Sequence, residues 1–243
     1  MPLGPAGASR VAGAVVDGLG LDGAASGRPS VAAAMVASAD GRAAVAGRSV
    51  GLGHPADRAL LRALRAAVDA IVVGPGTLRA ERYANLLDPD QRAARVEAGR
   101  PAHPLVATIS RSGRVPVDIP LFAEPGVPIQ VYTETAAEVG SRGADVAVHR
   151  FAPGGARPGA ALRHLHESRG VRSVLCEGGP TLLRALVDDA CLDHLLLTLA
   201  PLLAAGAAPA PLEGEPLDPP ARLELRAVHR ADEHLFMHYV PLP

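Results

Sequence analysis

Six short apolar runs, at 31–38, 70–73, 105–109, 129–132, 146–149 and 174–176, are nearly unbroken rather than alternating. A strand with one face in water alternates apolar and polar residues, so these runs predict strands covered on both faces. Helix-like segments at 55–67, 89–98, 160–168 and 180–188 lie between them. The resulting β-α-β-α order is that of a mainly parallel sheet with helices on both faces. The end of the chain differs. Runs at 192–199, 222–228 and 233–240 follow one another without a helical segment, the last two divided by His229-Arg-Ala-Asp232. They predict antiparallel strands at one edge.

The 243 residues suit one large α/β domain, and nothing after residue 27 reads as a linker. Residues 28–243 are therefore expected to form one domain. The Gly- and Ala-rich residues 1–27 are expected to be a flexible or partly helical arm. Aromatic residues are only 2% of a chain that is 48% hydrophobic, so small aliphatics must fill the core. The net charge of -1 and the dispersed arginines give no electrostatic footprint for nucleic acid. There is no lysine, which excludes P-loop phosphate binding and Schiff-base catalysis. Cys176 and Cys191 do not make a zinc site alone. His164 and His166 point to different faces of a helix, and His234 and His238 are about 13 Å apart along a strand, so no metal is expected. No apolar run is long enough for a bilayer, and the start lacks a basic segment leading into an apolar core. The expectation is a cytoplasmic protein with no membrane partner.

Four segments could carry chemistry. The strand ending at Cys176 runs through Glu177 into Gly178, Gly179, Pro180 and Thr181, the start of a helix. Two glycines let backbone approach a ligand, and a helix N-terminus favours a phosphate or pyrophosphate. A second strand runs into Gly74-Pro75-Gly76-Thr77, repeating the same idea. A third runs into Ser110-Arg111-Ser112, where a guanidinium flanked by hydroxyls suits a phosphate monoester. The fourth ends in Ser38-Ala-Asp40-Gly41, by itself a turn signal.

Together and in this order, SxDG, LRA before DAIxVGxGT, the strand before SRS, LCEGGPTLL and LxLxLAPLL resemble the reductase domain of the bifunctional riboflavin deaminase/reductase, over roughly residues 28–240. The resemblance implies a dihydrofolate-reductase-like sheet, a homodimer, a small-molecule substrate and NADPH lying across the strand ends. The cofactor would touch Val36, Gly51, Thr77, Glu81, Arg111 and the loop Gly179, Pro180, Thr181, Leu182, Leu183, Arg184 and Ala185. Substrate would touch Ser49, Arg65 and Glu177, with Glu177 and Asp40 as the candidate catalytic carboxylates. In such a family, hydride from the nicotinamide reduces the ribosyl carbon of an aminopyrimidine phosphate.

The chain departs from that pattern at two places. The lysine that the family usually carries four residues before the Ser of SxDG is Ala34 here, and the segment after Gly-Thr reads Glu81-Arg-Tyr-Ala-Asn85 in place of the usual aspartate and later arginine. No H-x-E paired with P-C-x-x-C, the zinc deaminase signature, occurs. The leading expectation is a 5-amino-6-(5-phosphoribosylamino)uracil reductase-like enzyme of riboflavin biosynthesis. The alternatives are a reductase of dihydrofolate or another heterocycle, and a non-catalytic NADPH-binding protein.

Overall fold

The computed structural model describes residues 5–21 and 27–242. Its elements in chain order are α1 (Pro5–Asp17), β1 (Ser30–Ser38), α2 (Pro55–Ala67), β2 (Ala70–Val72), α3 (Pro75–Glu81), α4 (Pro89–Glu97), β3 (Leu105–Ile109), β4 (Pro128–Thr133), β5 (Asp145–Arg150), α5 (Pro158–Arg169), β6 (Ser173–Cys176), α6 (Pro180–Asp188), β7 (His194–Ala200), β8 (Leu223–Ala231) and β9 (His234–Pro241). The strands form one sheet in the order β5-β4-β3-β2-β6-β1-β7-β9-β8. Every pair from β5 to β7 is parallel, and β9 pairs antiparallel with both β7 and β8.

The unbroken apolar runs have the predicted cause. Along β1, Val31 and Ala33 enter one buried cluster while Ala32 enters the other, and Val174 and Leu175 of β6 divide in the same way. One cluster lies under α1 and α2, the other under α5 and α6. Small side chains at the centre of the sheet let the helices sit close on both faces.

Two elements differ from expectation. Where a flexible or partly helical arm was expected, the helix α1 packs on α2, because Ala12, Val15 and Leu19 fall at helical spacing and are buried. The glycine-rich segment after β2 winds into the short helix α3, with Pro75 preset at its first position and Leu78 buried beneath it. No helix among the described residues is long and apolar enough to cross a membrane.

At the opposite end of the sheet from these turns, Asp69 ties three strands. Its backbone N–H donates to the Ser173 carbonyl, and its own carbonyl accepts from Leu105 N–H. Its carboxylate accepts from the N–H groups of Arg172 and Ser173 at 2.9 and 3.1 Å and from Arg100 Nη2 at 2.9 Å. Partial burial pushes the Asp69 pKa up, but these donors outweigh it and the net shift is downward. A pKa lowered by folding contributes stability that is present above the unfolded value, about 4, and lost as pH falls through the folded one. Acid titration of the melting temperature therefore shows a loss below about pH 4 that is smaller in Asp69→Asn, which starts from a lower melting temperature at neutral pH. An unchanged acid limb in the variant contradicts this role for Asp69.

Candidate active site

The chain builds β2 to β5 outward on one side of β1 and then returns to insert β6 between β1 and β2. That reversal opens a crevice beyond the carboxyl ends of the strands. Two helices start in it. Both α3 and α6 have a glycine N-cap, Gly74 and Gly179, with no side chain capping the first turn, and both have proline at the next position. The two turns touch: Gly74 N–H donates to the Gly178 carbonyl at 2.7 Å. A Cβ built on Gly179 would stand 2.8 Å from Thr77 Oγ1, and one on Gly178, whose φ is +71°, would stand 2.9 Å from Met35 Sδ. Glycine suits both positions. The uncapped N-termini thus converge, and two positive dipole ends aim at one place.

The crevice holds two cavities that share Gly76, Thr77, Gly179 and Pro180 and so form one continuous cleft. The larger, 1020 Å³, runs from the two helix starts to Ser110, Arg111 and Ser112 on one side and to Thr181, Leu182, Arg184 and Ala185 on the other. The serine hydroxyls shape the loop itself: Ser110 Oγ donates to the Arg114 carbonyl, and Ser112 Oγ accepts from Arg114 N–H. Between them the exposed Arg111 has its carbonyl held by Glu134 N–H and Thr133 Oγ1, while its guanidinium makes no ion pair or hydrogen bond with the described residues. Arg184 is committed elsewhere, to Asp188 and to the Glu215 carbonyl.

The smaller cavity, 250 Å³, is walled by Val36, Leu60, Leu61, Leu64 and Leu196, with Ser49, Asp57, Thr77, Glu81, Tyr83, Glu177 and Thr198 as its polar members. Glu177 is buried, and both its oxygens are engaged. Arg65 Nε and Nη2 donate to Oε1 and Oε2 at 2.7 and 2.6 Å, and Tyr83 Oη donates to Oε2 at 2.5 Å. Burial pulls the Arg65 pKa down, but the charge of Glu177 outweighs it and the guanidinium is held more firmly protonated than usual. Burial and the same carboxylate push the Tyr83 hydroxyl well above its usual range. The trio is a fixed wall. Glu81 is likewise occupied, accepting from Ser49 N–H at 2.7 Å and facing Arg48 Nε at 3.6 Å.

Sixteen of the expected site residues line the cleft: Val36, Ser49, Gly74, Gly76, Thr77, Glu81, Ser110, Arg111, Ser112, Glu177, Gly179, Pro180, Thr181, Leu182, Arg184 and Ala185. Five do not. Arg65 points at Glu177, Gly178 supports the turn from behind, and Leu183 is buried in the core beneath α6. Gly51 leaves room for Val45, whose side chain lies 3.0 Å from where its Cβ would be. Asp40, expected to be catalytic, is exposed and accepts from Ser38 Oγ and from the N–H groups of Ala204 and Ala205. Those hydrogen bonds hold its carboxyl far below the usual range. Its place is to anchor the long β7–β8 loop, which is stitched down further by Ala43 N–H to the Pro209 carbonyl and by Arg184, and which brings Pro209 and Glu213 to Glu215 over the cleft. Tyr83, Asp57, Thr198 and this loop carry no motif and were not found from the sequence. Asp57 reads there as an ordinary acid in the first turn of a helix.

The RibD C-terminal domain family matches residues 29–237. The chain is 28% identical over 204 residues to the 2,5-diamino-6-ribosylamino-4(3H)-pyrimidinone 5′-phosphate reductase of Archaeoglobus fulgidus, covering 81% of this chain and 92% of that one. It is also 28% identical over 224 residues to the protein of that name in Methanothermobacter thermautotrophicus, covering 87% and 98%. Among solved structures, a pyrimidine reductase-like protein from Corynebacterium diphtheriae is similar at a TM-score of 0.72 and 26% identity, over 88% of this chain and 92% of that one. Acinetobacter baumannii RibD shares the fold, at a TM-score of 0.71 and 23% identity over 90% of this chain and 59% of that one. The chain belongs to the RibD C-terminal domain family.

Proposed function

We propose that this protein is a cytoplasmic, homodimeric NADPH-dependent reductase of a 5-amino-6-ribosylaminopyrimidine 5′-phosphate, a reaction of riboflavin biosynthesis. The observation that carries the reading is the pair of uncapped helix N-termini meeting at Gly74 and Gly179, with Arg111, whose guanidinium has no partner among the described residues, in the same cavity. Pyrophosphate fits the first and a 2′-phosphate the second, by dipole and by charge-assisted hydrogen bonding. The exposed Leu223, Leu225 and Val228 of β8 offer an apolar face to a second copy of the chain.

When bound, the nicotinamide cofactor would supply a hydride to the ribosyl C1′ of the ring-opened imine, with one proton taken up from solvent, so that C1′ becomes the ribityl carbon. The chain's own part is to hold the two reacting carbons together and dry. Thr77, Gly179 and Pro180 border both cavities, and so mark where cofactor and substrate meet. Leu60, Leu61, Leu64 and Leu196 exclude water from the ring. Glu177, with both oxygens bound, fixes Arg65 and Tyr83 rather than delivering a proton. A second reading, reduction of dihydrofolate or another pterin, is favoured by one observation: no basic side chain is among the described residues lining the smaller cavity, so a substrate phosphate finds no cation there.

NADPH absorbance followed with the ribosylaminopyrimidine phosphates and with dihydrofolate tests the function. Turnover of a pyrimidine substrate is expected, whereas tight NADPH binding with turnover of none identifies a binding protein. Arg111→Ala should weaken NADPH by about 1.5–3 kcal/mol and leave NADH nearly unchanged; equal losses remove Arg111 from the 2′-phosphate site. A folded Gly179→Val should bind neither dinucleotide, and intact binding would make the glycine purely structural. Glu177→Gln, which leaves a buried guanidinium without its charge partner, should lower stability by about 3 kcal/mol. An unchanged melting temperature would mean that the trio is not a structural wall.

A further inference from the structure

One face of β9 carries His234, Phe236 and His238, with Phe236 in the buried cluster under α1 and α2. Each histidine on that face meets another from a different neighbour. His238 Nε2 lies 3.0 Å from Nδ1 of His194 on β7, and His234 packs on His54 with ring centroids 4.5 Å apart. His54 stands just before α2 and is held at both ends of its ring. Its Nδ1 accepts from Ala56 N–H at 3.2 Å as the cap of that helix, and its Nε2 lies 3.1 Å from Asp232 Oδ2 in the β8–β9 turn. One imidazole therefore joins the hairpin turn to the head of α2, the helix whose Leu60, Leu61 and Leu64 wall the smaller cavity.

These contacts suit neutral rings. Because Nδ1 of His54 accepts, its ring proton sits on Nε2 and donates to Asp232, and a second proton on Nδ1 would displace the Ala56 cap. Between His194 and His238 one nitrogen donates and the other accepts, so with both rings protonated the bond is lost. Nδ1 of His234 is buried with no hydrogen-bond partner among the described residues, and a proton there sets a cation against the His54 ring. His234 faces His54, Asp57 of α2, itself beside Arg58, Asp232 of the turn and a backbone hydrogen bond with Leu52. His238 faces His194 of β7, Arg226 and His229 of β8 and the apolar Val15 of α1, while His194 also faces Asp193 and Arg226. Burial pulls His194, His234 and His238 below the usual histidine range, and the nearby carboxylates offset only part of it.

We propose that the two histidine pairs form a proton-operated latch: neutral, they hold the β8–β9 hairpin against β7 and the head of α2, and protonated they release it and slacken the α2 wall of the smaller cavity. Its control of the site rests on the reading that this cavity takes the heterocycle; the latch itself does not. A histidine pKa lowered by folding contributes stability that is complete above the unfolded value, about 6.5, and lost as pH falls through the folded one. That window lies above the one set by Asp69, so the two are read separately.

Hydrogen–deuterium exchange at pH 7.5 and 5.5, corrected for the intrinsic effect of pH, tests the latch in wild type. Peptides from β8, β9 and the first turn of α2 should exchange at least about tenfold faster at pH 5.5, with α6 unchanged. In His54→Asn/His238→Gln, asparagine still caps α2 and glutamine still bonds His194, but neither takes a proton. The acceleration should shrink there to less than about threefold, with a melting temperature near that of wild type at pH 8 and a shallower fall toward pH 5. If the double variant does not fold, proton NMR of wild type should show His194, His234 and His238 titrating below about 6.5, with the Ala56 amide shifting alongside them. The KM for the pyrimidine substrate should rise about tenfold from pH 7.5 to 5.5 in wild type and less than threefold in the variant. Turnover of no substrate at either pH defeats the functional reading, while exchange and melting still read the latch. Exchange in wild type that ignores acid, ordinary titration of all three histidines, or a folded double variant with the full acid acceleration overturns the latch. The same rise of KM in both proteins overturns its control of the site.

Discussion

The turn after β2 and the turn after β6 meet backbone to backbone, with Gly74 N–H on the Gly178 carbonyl. Glycine suits both positions: Gly178 has a φ of +71°, and a Cβ at Gly178 or Gly179 would push on the side chain of Met35 or Thr77. The contact is possible because β6 enters the sheet directly beside β2, held at its far end by Asp69. It brings two helix starts, each without a side-chain cap, to the same place. A protein normally satisfies the first N–H groups of a helix with a side chain or water. Two such ends open side by side suit an anion, and the proposed cofactor reading rests on them.

Charge divides the cleft. Among the described residues, the cavity on the Arg111 side holds a guanidinium without a partner, and on the Leu60 side no basic group lines the wall. The absence of lysine from the whole chain makes that contrast sharper, because no flexible ammonium can reach in. A dinucleotide with its phosphates on one side and a donor-rich heterocycle on the other matches this division.

Much of the fold was legible because burial writes itself into the strands. Every expected strand is present, and α2 and α6 have the expected bounds of 55–67 and 180–188. The helix α1 was legible only as a partly helical arm because alanine and glycine blur its period, and α3 was missed because Gly76 reads as punctuation inside a seven-residue helix. The phosphate-side residues were legible for a local reason: a glycine pair followed by a helix start is contiguous in sequence. The substrate side was legible only in part: Ser49 and Glu177 were expected there and line it, whereas Asp57, Tyr83 and Thr198 were not. Glu177 meets Arg65 and Tyr83 across 112 and 94 positions, and Asp57 meets Thr198 across 141. Such partners are set by the order of strands, which no window of sequence contains. Asp40 misled for the opposite reason, since a motif marks its position but not that its carboxylate closes a loop.

The central claim is that the cleft brings a nicotinamide against a ribosyl carbon for direct hydride transfer. Single-turnover reaction with NADPH carrying deuterium at the transferable C4 position, followed by mass spectrometry of the product, tests it most directly. Direct transfer places one deuterium per product molecule, at the ribityl C1′, with oxidised cofactor formed in equal amount. Product without label, or consumption of the substrate without oxidation of NADPH, would contradict it.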